Sequence, residues 1–303
     1  MSSFLPVLHV NDSIIERLRP VNPRSVSTKA GRLSMRGLLD GEEVKVFEAF
    51  SEEHANFLFH FMGKNDQYKK YFPRLIQQYE KFIVCQWVPG RQLRLNKFRR
   101  VFGLARPMLR RYLEFNAEFF DLLHRQTCLD QVGFDYIYDF ILPRFEGWAG
   151  ESQDRSGRIS SIYSSLKTFE GVYRKAFLSH PDLTPNNVIF EADDHIRIID
   201  NELLGRCRFP FMDELNSLNA LFLSQREIEQ NAFFLKRIAK HTLRLLRQGH
   251  EVDMLNVWLM RKIGSYHAVA HNHKIEQLLT LDSFAAEEHL HVWNLLRRIA
   301  SLP

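Results

Sequence analysis

Cysteine is scarce in this chain, and long apolar runs are missing altogether. The 303 residues include three cysteines, Cys85, Cys128 and Cys207, odd in number and far apart. No CxxC and no Cys/His ligand spacing accompanies them, so the sequence gives no sign of a disulfide framework or a zinc site. A reducing compartment is the simpler reading. No apolar stretch approaches the length of a membrane span. The opening MSSFLPVLHVND has no basic region ahead of its short apolar stretch, so no signal peptide is expected and the expected location is cytoplasmic. Internal repeats and low-complexity tracts are lacking too. What the chain has in quantity is core material: 45% apolar residues, 25 of them Phe, against 25% charged residues. That is the balance of a soluble globular protein. The formal charge is a mild +5.

The first part of the chain reads as strands. Arg32 to Leu39 runs into Asp40-Gly41, a hairpin turn signal. Glu42 to Phe47 then alternates polar and apolar, as a half-buried strand does. Ser51-Glu52-Glu53 opens a helix with a capping serine and first-turn acids, predicted to stop at Gly63. Phe82 to Val88 suits a buried strand ended by Pro89-Gly90. From Pro107 the pattern is helical, with a surface loop predicted over 147–157 and a helix from Ile159 to Lys175. Two short strands, Val188–Phe190 and Ile196–Ile199, flank a turn at 192–194. After Asp213 everything reads as helix, including one long helix from the capping box Ser224–Glu227 to Gly249. The organisation is a small strand-rich part, a linker near 89–92, and a larger helical part with one inserted hairpin.

The informative segment is Leu178–Phe190, L-S-H-P-D-L-T-P-N-N-V-I-F, which fits H-x-D-L-x-x-x-N. Thirteen residues after Asn187 comes Asp200, ending the apolar run Ile198-Ile199. Phosphoryl transfer needs a carboxylate to orient and deprotonate the acceptor hydroxyl, and oxygen ligands to hold Mg²⁺ on the phosphates. A loop carrying Asp182 and ending on Asn187, followed by a hairpin that returns Asp200, supplies that set.

These residues resemble the aminoglycoside phosphotransferase/choline kinase family, relatives of the protein kinases, with its H-G-D-L-x-x-x-N and I-D-[WFL]-[EG]-like strand end. Val84–Leu93 resembles the family's hinge, Leu122-Leu123-His124 its helix before the catalytic loop, and Pro210–Leu215 its P-x-x-D-L. The resemblance covers roughly residues 30–220. It implies an α+β, bilobal protein-kinase-like fold, with residues 1–88 as the nucleotide-binding lobe and 89–303 as a helical lobe carrying the catalytic loop and acceptor site. It implies ATP and Mg²⁺ as cofactors. Asp182 would be the catalytic base, Asn187 and Asp200 the Mg²⁺ ligands, and Lys45 the lysine on the α/β-phosphates. Glu53, or its neighbour Glu52, would pair with Lys45. Cys85 falls at the gatekeeper position, so the backbones of Gln86 and Val88 would hydrogen-bond adenine. Asp213 would tie down the catalytic loop, and His180 would be a structural hydrogen-bonding residue.

Departures from the family pattern are specific. No G-x-G-x-x-G precedes Lys45, and the one candidate phosphate loop, Ser27–Arg32, has a single glycine. Pro181 and Asn186 stand at usual glycines, Asn being the more tolerant of left-handed backbone, and Asn201 stands where an aromatic or aliphatic residue is usual. The glycine-poor loop favours an alternative, a pseudokinase serving as a binding or regulatory module; the intact Lys45, Asp182, Asn187 and Asp200 favour an enzyme. D-F-G and A-P-E are lacking, which ranks a protein kinase below both.

The resemblance implies that the acceptor is a hydroxyl of a small molecule or glycan. Residues 240–303 hold eight basic and six acidic residues, no acidic excess for a polycation, so an aminoglycoside is not expected. His267 and His271 would share a helical face, but without an HExxH glutamate or a cysteine they read as a partly buried helix or cleft lining rather than a metal pair. Arg91 to Arg111 holds eight basic residues and no acid. It is either a solvated face or a dock for an anionic acceptor or a peripheral membrane surface; nucleic acid is not expected, since no recognition motif accompanies it.

Overall fold

The computed structural model describes residues 18–21, 26–29, 32–93, 106–125, 132–150, 156–191, 195–266 and 287–303. Among them no helix is long and apolar enough to cross a membrane. The N-terminal part is an antiparallel sheet of β1 (Leu18–Pro20), β2 (Val26–Lys29), β3 (Arg32–Leu39), β4 (Glu42–Glu48), β5 (Leu75–Tyr79) and β6 (Phe82–Gln86), with α1 (Glu52–Gly63) between β4 and β5. The strand order is β1-β3-β4-β6-β5, and β2 pairs with β3. Asp40 and Gly41 turn β3 into β4 at φ of 52° and 86°, the left-handed pair a two-residue hairpin needs.

Alternation along β4 sets up the site. Val44 and Val46 pack with Met35, Leu39, Phe82 and Val84 in a small core of their own. Lys45 and Phe47 therefore point the other way, and Phe47 belongs to the main core shared with the helical part. Ser51 caps α1, accepting from His54 N at 3.1 Å. The helix buries His54, Ala55, Leu58, Phe61 and Met62, a single face at helical spacing.

His54 is the polar anchor of that face. Its Nδ1 accepts from Phe50 N at 3.2 Å and its Nε2 donates to Leu204 O at 2.7 Å, joining the sheet part to the helical part. Burial is the main reason the imidazole is pulled down from its ordinary 6.5 to about 4. The folded state then binds fewer protons than the unfolded one, so this contribution is complete above pH 6.5 and is lost as pH falls towards 4. A shift of this size corresponds to about 3 kcal/mol. The expected result is that urea-unfolding free energy falls less steeply between pH 7 and 4.5 in His54→Gln than in the wild type; equal slopes would exclude the effect.

Past the sheet, Gly90 carries the chain at φ 155° with its Cα pressed against β9. A Cβ there would stand 2.4 Å from Ile189 Cγ2, which only glycine avoids. β7 (Arg91–Gln92) pairs with β9 (Val188–Phe190), itself paired with β10 (Ile196–Ile198), and β8 (Phe177–Ser179) pairs with β11 (Gly205–Cys207). The helices are α2 (Arg106–Leu123), α3 (Leu142–Gly150), α4 (Ser156–Val172), α5 (Pro210–Asn219), α6 (Gln225–Gln230), α7 (Ala232–Ile238), α8 (Lys240–Arg247), α9 (Glu251–Tyr266) and α10 (Glu287–Ala300).

Two expectations are corrected. The start of the predicted 147–157 loop is helical, as the end of α3, which follows a π-helical segment, Tyr136–Ile141. Buried Phe145 and Trp148 hold α3 to the core despite its two glycines. The predicted long helix from the capping box is three short ones. The box itself is present, but Asn231 turns its amide back onto Glu227 O. The Glu214 carboxylate then takes the N–H groups of His241 and Thr242, which a continuous helix would spend on carbonyls four residues back.

Candidate active site

The segment between β8 and β9 is held from several directions. Asp213, buried in the first turn of α5, accepts from Ser179 Oγ at 2.7 Å and from His180 N at 3.2 Å, as expected of a loop anchor. Asn216 Nδ2 donates to Pro181 O at 2.7 Å, and Tyr112 OH donates to Leu183 O at 3.3 Å. His180 is fully buried and its Nε2 meets Asn201 Oδ1 at 3.0 Å, so the unusual Asn201 serves as the polar partner of that imidazole. Asn187 ends the loop in a short 3₁₀ turn, Pro185–Asn187, and donates its amide to Asp182 O at 2.8 Å and Asp182 Oδ2 at 2.9 Å. The left-handed residue is not Asn186, as its glycine-like place suggested, but Asp200 at φ 59°, ψ 55°.

Ile199 N donates to Asn187 O at 2.8 Å, which brings the end of the β10 strand against the end of the loop. Asp200 there forms an ion pair with Lys45, and Glu202 pairs with the same ammonium at 2.9 Å. Burial works against the charge on Lys45, but Glu202 and Asp200 outweigh it and hold the ammonium well above its ordinary range. Lys45 is thus a fixed cation between two carboxylates. The two carboxylates gathered here already enclose a positive charge, and carboxylate oxygens are the hard donors that Mg²⁺ prefers.

Glu53 does not join this group. It lies exposed in the first turn of α1, whose buried face begins at His54, and the carboxylate expected from α1 is supplied instead by Glu202. Glu52 is exposed as well. Cys85 pairs with Lys45 across β6 and β4; its burial pushes the thiol up to about 12, which leaves it unreactive. Gln86 spends its N–H on Arg74 O at 2.9 Å, so only its carbonyl can serve a base, and Val88 follows in the linker. Lys29 and Arg32 are opposed across β2 and β3, so the described ends of the candidate phosphate loop are paired strands.

Glu202, Tyr136, Arg144 and Arg261 escaped sequence reasoning. The signal for Glu202 was its place two residues after Asp200, the acidic slot of the I-D-x-E-like strand end; the others carry no local signal. The histidines His267, His271 and His273 and residues 94–105 of the basic stretch lie outside the described residues. Of that stretch, Arg91 and Arg110 are exposed, and Arg111 lies 5.5 Å over the Phe190 ring.

A small antiparallel sheet joined through one linker to a helical part, with a loop and a hairpin closing on a strand lysine, is the protein-kinase-like phosphotransferase fold. Solved structures share it. An ethanolamine kinase from Plasmodium vivax is 11% identical with a TM-score of 0.51, covering 95% of this chain and 84% of its own. The choline kinase LicA from Streptococcus pneumoniae is 10% identical with a TM-score of 0.50, covering 92% and 94%. A thermostable mutant of the aminoglycoside phosphotransferase APH(4)-Ia, in ternary complex with AMP-PNP and hygromycin B, is 12% identical with a TM-score of 0.52, covering 96% of both chains. No family model matches the sequence, and no curated protein matches it.

Proposed function

We propose that this protein is an ATP- and Mg²⁺-dependent phosphotransferase that phosphorylates a hydroxyl of a small molecule or glycan. The observation that carries the reading is the junction of Asp182–Asn187 with Lys45–Asp200–Glu202 through the Ile199–Asn187 hydrogen bond. Similarity to nucleotide-using kinases of small acceptors supports it.

In this reading residues 1–88 form the nucleotide-binding lobe and 89–303 the lobe with the catalytic loop and acceptor site. The Gln86 carbonyl and the Val88 N–H receive adenine. Lys45 exchanges its carboxylate partners for nucleotide phosphates. Asp200, Glu202 and the Asn187 oxygen would hold Mg²⁺, which when bound neutralises phosphate charge. Asn187 keeps its amide N–H on Asp182 and so aims that carboxylate. Asp182 orients the acceptor hydroxyl and takes its proton. Catalysis is positioning and charge neutralisation.

The test pairs binding with turnover. At MgADP concentrations about 100 times Kd the folded state gains about 2.7 kcal/mol, read as a rise in Tm, and ATP is consumed when a suitable acceptor from a panel of sugars, amino alcohols and their phosphates is added. Nucleotide binding without consumption on any acceptor would favour the pseudokinase reading that the glycine-poor hairpin raises, and no binding at all would overturn the nucleotide site.

A further inference from the structure

We propose that the acceptor carries an oxyanion, a phosphate or a carboxylate, and that Arg32, Arg144 and Arg261 receive it beside Asp182. This rests on the phosphotransferase reading and specifies its acceptor.

The receiving surface is built on the π-helical segment Tyr136–Ile141, where the rings of Tyr136 and Phe140 stack at 5.8 Å. Guanidinium groups from three separate elements converge on it. The Arg144 Cζ of α3 lies 3.9 Å from the Phe140 ring centre. Arg32, the first residue of β3, places its Cζ 5.4 Å from the same ring and 3.2 Å from that of Phe50. Arg261 of α9 lies 6.0 Å from the Tyr136 ring. α9 reaches this position because Gly264 has no side chain: a Cβ there would stand 2.6 Å from Ile141 O.

Arg144 gives Nη1 to Phe140 O at 2.8 Å, whereas Arg261 and Arg32 each keep a donor unspent. Arg261 is only 6% exposed and gives Nη2 to Pro181 O at 3.2 Å, one residue from Asp182. Its Nε is buried with no hydrogen-bond partner among the described residues, and so is Arg32 Nη1. The two carboxylates whose charge Arg32 feels are already paired, Glu202 with Lys45 and Glu48 with Lys81. Burial, followed by the charge of Arg144, pulls Arg32 down to about 10, and burial lowers Arg144 as well. Guanidinium groups that repel one another and, at Arg32 and Arg261, retain unspent N–H donors are what an oxyanion satisfies. The Arg261–Pro181 contact puts the cluster one residue from the base, and the charge of Asp182 is felt at Tyr136.

The same arrangement disfavours a cationic acceptor. Aromatic faces can cage a quaternary ammonium, but here Phe50, Phe140 and Tyr136 have guanidinium groups over them. An ammonium approaching these faces would meet the guanidinium groups first.

The experiment uses the full chain in saturating MgADP and titrates inorganic phosphate, and separately acetate, by calorimetry. At least one of the two binds the wild type, and which one does tells phosphate from carboxylate recognition. Arg144→Gln and Arg32→Gln each weaken that binding about tenfold or more, the worth of a charge-assisted hydrogen bond, while in Arg144→Gln, which lies outside the candidate phosphate loop, the Kd for MgADP stays within about twofold of wild type. Arg261→Gln does the same if it folds, and the two less buried positions decide the matter if it does not. The proposal is overturned if neither anion binds, if both variants bind like wild type, or if MgADP affinity in Arg144→Gln falls in step with anion affinity, which would assign the arginines to the nucleotide. A chain that binds phosphate but no MgADP at all would instead overturn the phosphotransferase reading and the acceptor role with it, leaving an anion site.

Discussion

Asp182→Ala is expected to lower the rate of phosphate transfer by about 10²–10⁴-fold, the range for removing a positioned general base. Asp182 sits between two constraints. Asn187 donates to its backbone and to its carboxylate, and Pro181 immediately before it is gripped at the carbonyl by Asn216 and Arg261. The carboxylate is therefore held in place before substrate arrives, which is the condition under which a base contributes most. Since the proposed adenine and phosphate contacts lie on Gln86, Val88 and Lys45, MgADP affinity should change little. Asp182→Asn tests the charge without vacating the space, and should lose transfer to a similar extent. The measurement is kcat with ATP and the acceptor found by the panel, beside the Kd for MgADP. Full activity in folded Asp182→Ala would remove Asp182 from the mechanism.

Asp213→Ala is expected to destabilise the protein by about 3 kcal/mol and to lower transfer as well, although Asp213 lies behind the loop. Its carboxylate is buried and accepts from Ser179 Oγ and His180 N, with His124 Nε2 at 3.8 Å. Removing it leaves two buried donors without a partner, and each unsatisfied group costs about 1–3 kcal/mol. The N–H released belongs to His180, two residues before Asp182, so the loop loses its register at the base. Asp213→Asn keeps one acceptor oxygen and should recover part of the stability. Urea unfolding of the three proteins, with kcat for those that fold, separates the effects. A stability unchanged within error in Asp213→Ala would show that the loop is held by Asn216, Tyr112 and Arg261 alone.

Residues close in sequence were legible, and residues brought together only by packing were not. The β3–β4 hairpin announced itself through Asp40-Gly41, α1 through Ser51 and its spaced apolar face, and the loop through its own spacing. Those signals are local, and the physics behind each acts within a few residues. Glu53 was assigned to Lys45 by analogy. Whether a first-turn side chain reaches a neighbouring strand depends on how the helix is rotated, and His54 sets that rotation by entering the core and bonding Leu204 O. The long helix failed for a similar reason, because the group that interrupts it, Glu214, belongs to a different helix. Tyr136, Arg144 and Arg261 carry no pattern of their own, and the π-helical widening that presents Tyr136 has no simple periodicity to detect.

The left-handed backbone at Asp200 separates what this position owes to chemistry from what it owes to geometry. Alanine there would lose the carboxylate and would also sit in a conformation that Asp adopts more readily than Ala does, so an inactive, unstable Asp200→Ala could not say which loss mattered. Asparagine tolerates the conformation and glycine is at ease in it. A lineage released from selection for phosphate transfer would be freed from the charge but not from the turn. Its descendants would drift at this site towards asparagine or glycine, and the identity of residue 200 would record the loss of activity while the fold around it stayed intact.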